Sequence, residues 1–184
     1  GFVKARAGEE ADVCIINTCS VTDTADHKCR QAISRLNRLH PNAKMIVTGC
    51  YAQLKPDEIA SIDGVDLVLG ANEKFDILNY LKKWEDLSQT KVNRGNILKV
   101  KKFKPSISHD DRTRYFLKIQ DGCDYYCSFC TIPLARGHSR SGTISETVKM
   151  AQEVIALGAK EIVLTGVNTG EFGKRNGEKF IDLL

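Results

Sequence analysis

Residues 121–130 read DGCDYYCSFC, which packs three of the chain's seven cysteines into eight positions with the spacing C-x3-C-x2-C. A structural zinc site closes with four ligands, and an ordinary iron–sulfur cluster also takes four thiolates. This local group stops at three: Cys123, Cys127 and Cys130. Its surroundings point to the fold that holds it. Upstream, in a unit that begins at Thr113, Tyr115, Leu117 and Ile119 recur at the period of a strand. Downstream, Thr143 and Glu146 form a capping box for a helix that runs to Leu157. That helix has Val148, Ala151 and Ile155 on one side, Met150, Val154 and Leu157 close by, and Gly158 as its cap. Glu161–Thr165 is the next strand, ending in Gly166, and a further helix is expected near Phe180 to Leu184. The cysteine loop therefore joins the first strand to the helix of a βαβ unit. One such unit cannot bury both faces of its sheet, so residues 113–184 read as the first part of a (β/α) barrel. A loop after a barrel strand lies at the strands' carboxyl end, where such folds keep their chemistry.

The other half of the chain alternates strand and helix. Val13–Asn17, Met45–Thr48 and Val65–Leu69 are short apolar runs, as buried parallel strands are. Between the first two, Asp23–His40 is a helix with Ala25, Cys29, Ile33 and Leu36 on one face, ended by Pro41 and Asn42. Pro56 suits the first turn of a short helix, and Phe75–Trp84 is a helix with Phe75, Leu78 and Leu81 turned inward. The pattern predicts an α/β domain over residues 1–84, a parallel sheet with helices on both faces. Residues 85–112 read as a polar linker with a short strand around Ile97 to Phe103. Its basic run includes Lys99, Lys101, Lys102 and Lys104, and is open to two readings, a solvated surface or a nucleic-acid contact.

Composition bounds the function. The chain has 184 residues, 42% hydrophobic and 27% charged, the balance of a globular protein. Its apolar runs are too short to span a bilayer, and the opening GFVKARAGEE has no apolar stretch, so neither a membrane span nor a signal peptide is expected. Without an export signal the seven cysteines read as cytosolic thiols or metal ligands, not as a disulfide framework. The net charge of +4 permits an acidic partner such as RNA and does not demand one.

Two further cysteines stand just past predicted strands, Cys19 in INTCSVT and Cys50 in VTGCYAQ. In a parallel sheet both loops open at the carboxyl edge, the usual ligand edge. Cys14 lies within a strand and Cys29 on the apolar face of a helix, so both read as core. Arg136, His138 and Arg140 follow the cysteine loop in ARGHSR, and two roles are open for them: contact with RNA phosphates or substrate, or capping and acid pairing within the fold.

The C-x3-C-x2-C spacing, with Phe129 just before the last cysteine, resembles the radical S-adenosylmethionine superfamily. The resemblance implies a [4Fe-4S] cluster on Cys123, Cys127 and Cys130 whose open iron takes the amino and carboxyl groups of S-adenosylmethionine. One electron then breaks the sulfonium bond and yields a 5′-deoxyadenosyl radical. It also implies cofactor contacts from Phe129 and, at the end of the next strand, from Gly166 and Asn168. Gly166 is equally a turn residue.

INTCSVTDTADHKCRQ, TGCYAQ, DGCDYYCSFCTIPLARGHSRS and EIVLTGVNTGEFG together resemble the methylthiotransferases. They are most similar to the branch acting on N6-threonylcarbamoyladenosine next to the anticodon of tRNA. The resemblance covers nearly the whole chain outside the linker. It implies a radical S-adenosylmethionine tRNA methylthiotransferase that inserts sulfur at C2 of the base and methylates it from a second S-adenosylmethionine. It further implies an auxiliary [4Fe-4S] cluster, with Cys19 and Cys50 as the second and third ligands. The family's first ligand lies in an early Gly-Cys motif that is not found ahead of Cys19 here. The expectation is thus a fragment without the first N-terminal element, the rest of the barrel and the family's RNA-binding domain. Partners implied are tRNA and an electron donor such as flavodoxin or ferredoxin, in the cytoplasm. Competing readings are methylthiolation of a ribosomal protein side chain, a non-catalytic iron–sulfur electron carrier, and a zinc-stabilised RNA-binding module.

Overall fold

The structure is a computed structural model that describes residues 2–6, 8–20, 22–83, 90–109 and 114–184. The chain divides into two compact units, Gly1–Ile97 and Leu98–Leu184.

The first unit is built on a four-stranded parallel sheet in the order β1 (Val13–Thr18), β2 (Lys44–Gly49), β3 (Leu67–Leu69), β4 (Lys91–Asn93). Apolar residues point to both faces of the strands, as parallel sheets require. On one face Cys14, Met45, Val47 and Val68 pack with Ile33 of α1 (Asp23–Leu39), Tyr51 and Ala52 of α2 (Cys50–Leu54) and Ile59 of α3 (Pro56–Ala60). On the other, Ile46, Leu67 and Leu69 pack against Ile77, Tyr80 and Leu81 of α4 (Ile77–Lys82). α1 starts where the Thr22 hydroxyl accepts from the Ala25 N–H at 3.1 Å, and Pro56 opens α3 as expected. Asp26 is buried on α1, where Lys55 neutralises it at 2.8 Å.

Two expectations fail here. The helix predicted over Phe75–Trp84 begins as a 3-10 turn at Glu73–Asp76 and becomes α-helical only from Ile77. That change of pitch rotates its inward face, so Ile77, Tyr80 and Leu81 reach the core while Phe75 and Leu78 stay 39% and 56% exposed. Trp84 lies outside the described residues. The predicted linker is also partly built into the units. Lys91–Asn93 pairs with β3, and Gln53 fixes the chain beyond it by donating to the Gly95 carbonyl at 3.2 Å. Arg94 returns a bond to the Gln53 carbonyl at 3.0 Å. In place of the strand expected around Ile97 to Phe103 there is a 3-10 turn at Ile97–Lys99, with Ile97 buried.

In the second unit β6 (Arg114–Lys118) pairs in parallel with β9 (Glu161–Thr165), and α6 (Ile144–Ala156) crosses between them. The expected start at Thr113 falls outside the described residues. A strand that the polar sequence concealed, β5 (Ser106–His109), runs antiparallel along the other edge of β6. Between β6 and α6 lie a two-stranded hairpin, β7 (Gln120–Asp121) with β8 (Arg140–Ser141), and a short α5 (Ile132–Arg136). Leu117 and Ile119 pack with Phe172, Met150, Ala151 and Leu164, while α7 (Phe180–Leu183) lends Phe180 and Leu183. Val154 is buried on α6, but Val148, Ile155 and Leu157 are exposed. The capping box is present: the Thr143 hydroxyl accepts from the Glu146 N–H at 3.1 Å and the Glu146 carboxylate accepts from the Thr143 N–H at 2.8 Å. Thr143→Ala is expected to cost about 1 kcal/mol, read as a lower urea midpoint for the second unit.

Candidate metal centre

The C-x3-C-x2-C loop is fastened at its first cysteine. Gly122, at φ 73°, packs its α-carbon so tightly on the His138 carbonyl that no side chain fits there. The Cys123 N–H donates to the Gly137 carbonyl at 3.1 Å, and the Asn168 side-chain amide donates to Cys123 Sγ at 3.6 Å. Asp124 ties the next position three ways. Its N–H donates to Glu171 Oε2 at 3.1 Å, and its Oδ1 accepts from the Ser139 N–H at 3.1 Å and meets His138 Nδ1 at 2.9 Å. Tyr126 then adopts a left-handed conformation, φ 48°, between the first two cysteines. The Cys130 N–H donates to the Cys127 carbonyl at 2.9 Å, so the last two cysteines share one turn.

Charge around the loop is arranged by burial. Asp121 is buried and lies 3.3–3.4 Å from Lys118, Arg136 and Arg140. Burial alone would raise its carboxyl, but the three cations outweigh that and hold it below the usual carboxylate range. Burial pushes Lys118 below the usual lysine value despite the attraction of Asp121. Asp124 is likewise lowered: its partial burial is outweighed by the His138 and Ser139 bonds and by Arg175. Of the two roles left open for ARGHSR, the structure supplies partners for the second. Arg140 is 8% exposed and donates to the carbonyls of Arg136 and His138 at 2.7 and 2.9 Å.

All three thiols of the loop are free, Cys127 exposed and its neighbours half-buried. Among the described residues no three His, Cys, Asp or Glu side chains are gathered as a ready-made metal site. The donor set nonetheless fits an iron–sulfur cluster by its chemistry. It offers three soft thiol donors on one loop, with a side-chain N–H already directed at one sulfur. Phe129 stands 89% exposed on the same loop. Gly166 and Asn168 lie just past β9, where Asn168 reaches Cys123.

In the first unit, Thr18 and Gly49 are partners in the β1–β2 register, so Cys19 and Cys50 leave adjacent strand ends one step later. Gly49, at φ 106°, packs against the Thr18 backbone where no side chain fits, and the chain turns directly from β2 into α2 at Cys50. Cys19 is exposed and Cys50 half-buried, both free. Cys29 donates its S–H to the Cys19 carbonyl at 3.5 Å. Cys14 sits in the core, where burial raises its thiol pKa.

Sequence reasoning passed over Gln120, Asp121, Asp124 and Glu171. The two acids flanking Cys123 were the available signal, but partners of Asp124 lie 14 and 47 positions away and are visible only once the chain is folded.

Comparison with known proteins agrees with this layout. Residues 1–70 match the family described as "Uncharacterized protein family UPF0004". The chain is 43% identical over 95% of its length to a threonylcarbamoyladenosine tRNA methylthiotransferase MtaB of Bacillus subtilis, covering 39% of that protein. It is 39% identical over its whole length to the MtaB protein of Aquifex aeolicus, covering 45% of it. A ribosomal protein uS12 methylthiotransferase RimO of Chloroflexus aurantiacus is 32% identical over 97% of the chain and is covered to 43%. The chain thus spans less than half the length of these relatives. Its cysteine loop and paired strand-end cysteines stand within the region aligned to the Aquifex aeolicus protein, and over nearly its whole length the chain is similar to methylthiotransferases, at higher identity to the MtaB proteins of Bacillus subtilis and Aquifex aeolicus than to the RimO protein.

Proposed function

We propose that the whole protein is a radical S-adenosylmethionine enzyme that methylthiolates C2 of N6-threonylcarbamoyladenosine in tRNA. The observation that carries this reading is the cysteine loop: three free thiols, spaced C-x3-C-x2-C, directly after the first strand of a parallel βαβ unit. Relatives named as threonylcarbamoyladenosine tRNA methylthiotransferases, at 39–43% identity over 95–100% of the chain, support the substrate.

In this reading Cys123, Cys127 and Cys130 hold a [4Fe-4S] cluster. When bound, such a cluster supplies one-electron cleavage of S-adenosylmethionine. The chain's own residues shape the seat. Gly122 and the Cys123 N–H fix where the first ligand leaves the strand. Asp124 anchors the following position, while exposed Phe129 and the Gly166–Asn168 segment would contact the cofactor when it is bound. Cys19 and Cys50 would hold two corners of an auxiliary cluster, which would supply the inserted sulfur. Reducing equivalents come from a flavodoxin- or ferredoxin-type donor, and the setting is the cytoplasm. Among the described residues no helix is long and apolar enough to cross a membrane.

The test is incubation of full-length enzyme, S-adenosylmethionine and a reductant with hypomodified tRNA, and separately with ribosomal protein uS12. Mass spectrometry of the tRNA nucleosides is expected to show a methylthio group on threonylcarbamoyladenosine. Modification of the ribosomal protein with unmodified tRNA would move the substrate to the RimO-type alternative.

A further inference from the structure

Gln120 has no exposed surface, yet every polar atom of its side chain is used. Its Nε2 donates to the Gly122 carbonyl at 2.7 Å, to Ser139 Oγ at 3.1 Å and to the Asp121 carbonyl at 3.2 Å. Its Oε1 accepts from the Asn168 N–H at 2.8 Å. Nitrogen faces acceptors and oxygen faces an N–H, so the amide has one sensible orientation. Gly166 packs on the same side chain: a β-carbon there would stand 3.0 Å from both Gln120 Cβ and Oε1. The loop after β9 is therefore seated on Gln120, and the same loop carries the Asn168 amide to Cys123 Sγ. A hydrogen bond to a ligating thiolate stabilises the added electron of a reduced cluster, so it raises the reduction potential.

We propose that Gln120 is a positioning residue for the cysteine loop: it holds the Asn168 backbone so that the Asn168 side chain donates to Cys123, and that bond makes a cluster on Cys123, Cys127 and Cys130 easier to reduce. The inference rests on the cluster reading above. It gives Asn168 a role toward the thiolate, distinct from any contact with S-adenosylmethionine.

The experiment uses full-length enzyme, reconstituted anaerobically in a Cys19→Ala background so that one cluster is observed, with Gln120→Ala, Asn168→Ala and the double variant. At one fixed reductant potential, EPR is expected to give a ratio of reduced to oxidised cluster about threefold lower in either single variant, a modest share of what a hydrogen bond to a charged group is worth. The double variant is expected to fall no further, because both changes remove the same bond. In the metal-free chain, hydrogen exchange at the Asn168 amide is expected to speed up in Gln120→Ala while β6 and β9 amides keep their protection. Additive effects, or an unchanged ratio in variants with full iron content, would overturn the inference and leave the cluster reading intact. Should Gln120→Ala fail to fold, Asn168→Ala alone decides: an unchanged ratio there overturns the proposal. A parent enzyme that holds no iron, or whose EPR ignores S-adenosylmethionine, removes the cluster reading and this inference with it.

Discussion

Alanine at Cys123, Cys127 or Cys130 is expected to abolish 5′-deoxyadenosine formation from S-adenosylmethionine, a loss of more than about 100-fold, since even outer-shell changes at metal sites cost 10–100-fold. In the proposed reading the three thiols act as one unit. A cubane with one protein corner unheld loses iron, so the three variants should be equally inactive although their surroundings differ. Cys123 is half-buried and accepts from Asn168, whereas Cys127 is exposed. A purely structural role predicts another ranking, with Cys123→Ala worst and Cys127→Ala nearly neutral, because exposed substitutions seldom move stability by more than about 0.5 kcal/mol. Cofactor cleavage by anaerobically reconstituted full-length variants, scored beside their iron content, separates the two. Near-normal cleavage in any single variant would falsify the assignment of that cysteine.

In the first unit, Cys19→Ala and Cys50→Ala in the full-length enzyme are expected to uncouple the reaction. They should still release 5′-deoxyadenosine, because the proposed radical centre would have its own thiolates, but form no methylthiolated nucleoside. Iron content should fall toward that of one cluster. The geometry behind this is the β1–β2 register, which pairs Thr18 with Gly49 and so sends both cysteines out of adjacent strand ends. The bland alternative makes both thiols ordinary small residues. Under it Cys50→Ala costs a little stability and leaves sulfur insertion intact, so normal product from a folded Cys50→Ala enzyme would remove the auxiliary cluster. Cys14 supplies the internal control: it is buried within β1, and alanine there should lower stability without uncoupling.

The elements with a strong local signal were legible in the sequence. Strands β1 and β2 announced themselves as short apolar runs and β9 as a strand ending in Gly166, and the α6 capping box needed only Thr143 and Glu146. What stayed hidden depended on distant pairing. β4 and β5 are three- and four-residue polar edge segments whose strand character comes from hydrogen bonds to β3 and β6. Phe75 and Leu78 misled because the helix was read as α-helical from its start, whereas a 3-10 turn advances each residue by a larger angle. At the candidate site, the C-x3-C-x2-C loop stands out by its spacing, whereas Cys19 and Cys50 stand out only through the family resemblance. The loop's support was not legible: Gln120 reaches Asn168 across 48 positions, and Asp124 reaches Glu171 across 47. ARGHSR could not be resolved without the fold, because a buried arginine paired with Asp121 and a phosphate-binding arginine look the same in a sequence.

The EPR spectrum of the reduced Cys19→Ala full-length enzyme, recorded with and without S-adenosylmethionine, reports directly on whether the cysteine loop holds a cluster with an open iron. If Cys123, Cys127 and Cys130 hold a cluster with an open iron, the cofactor binds at that iron and the spectrum changes shape when it is added. A spectrum indifferent to S-adenosylmethionine, or a colourless protein that contains zinc and no iron, would contradict the account.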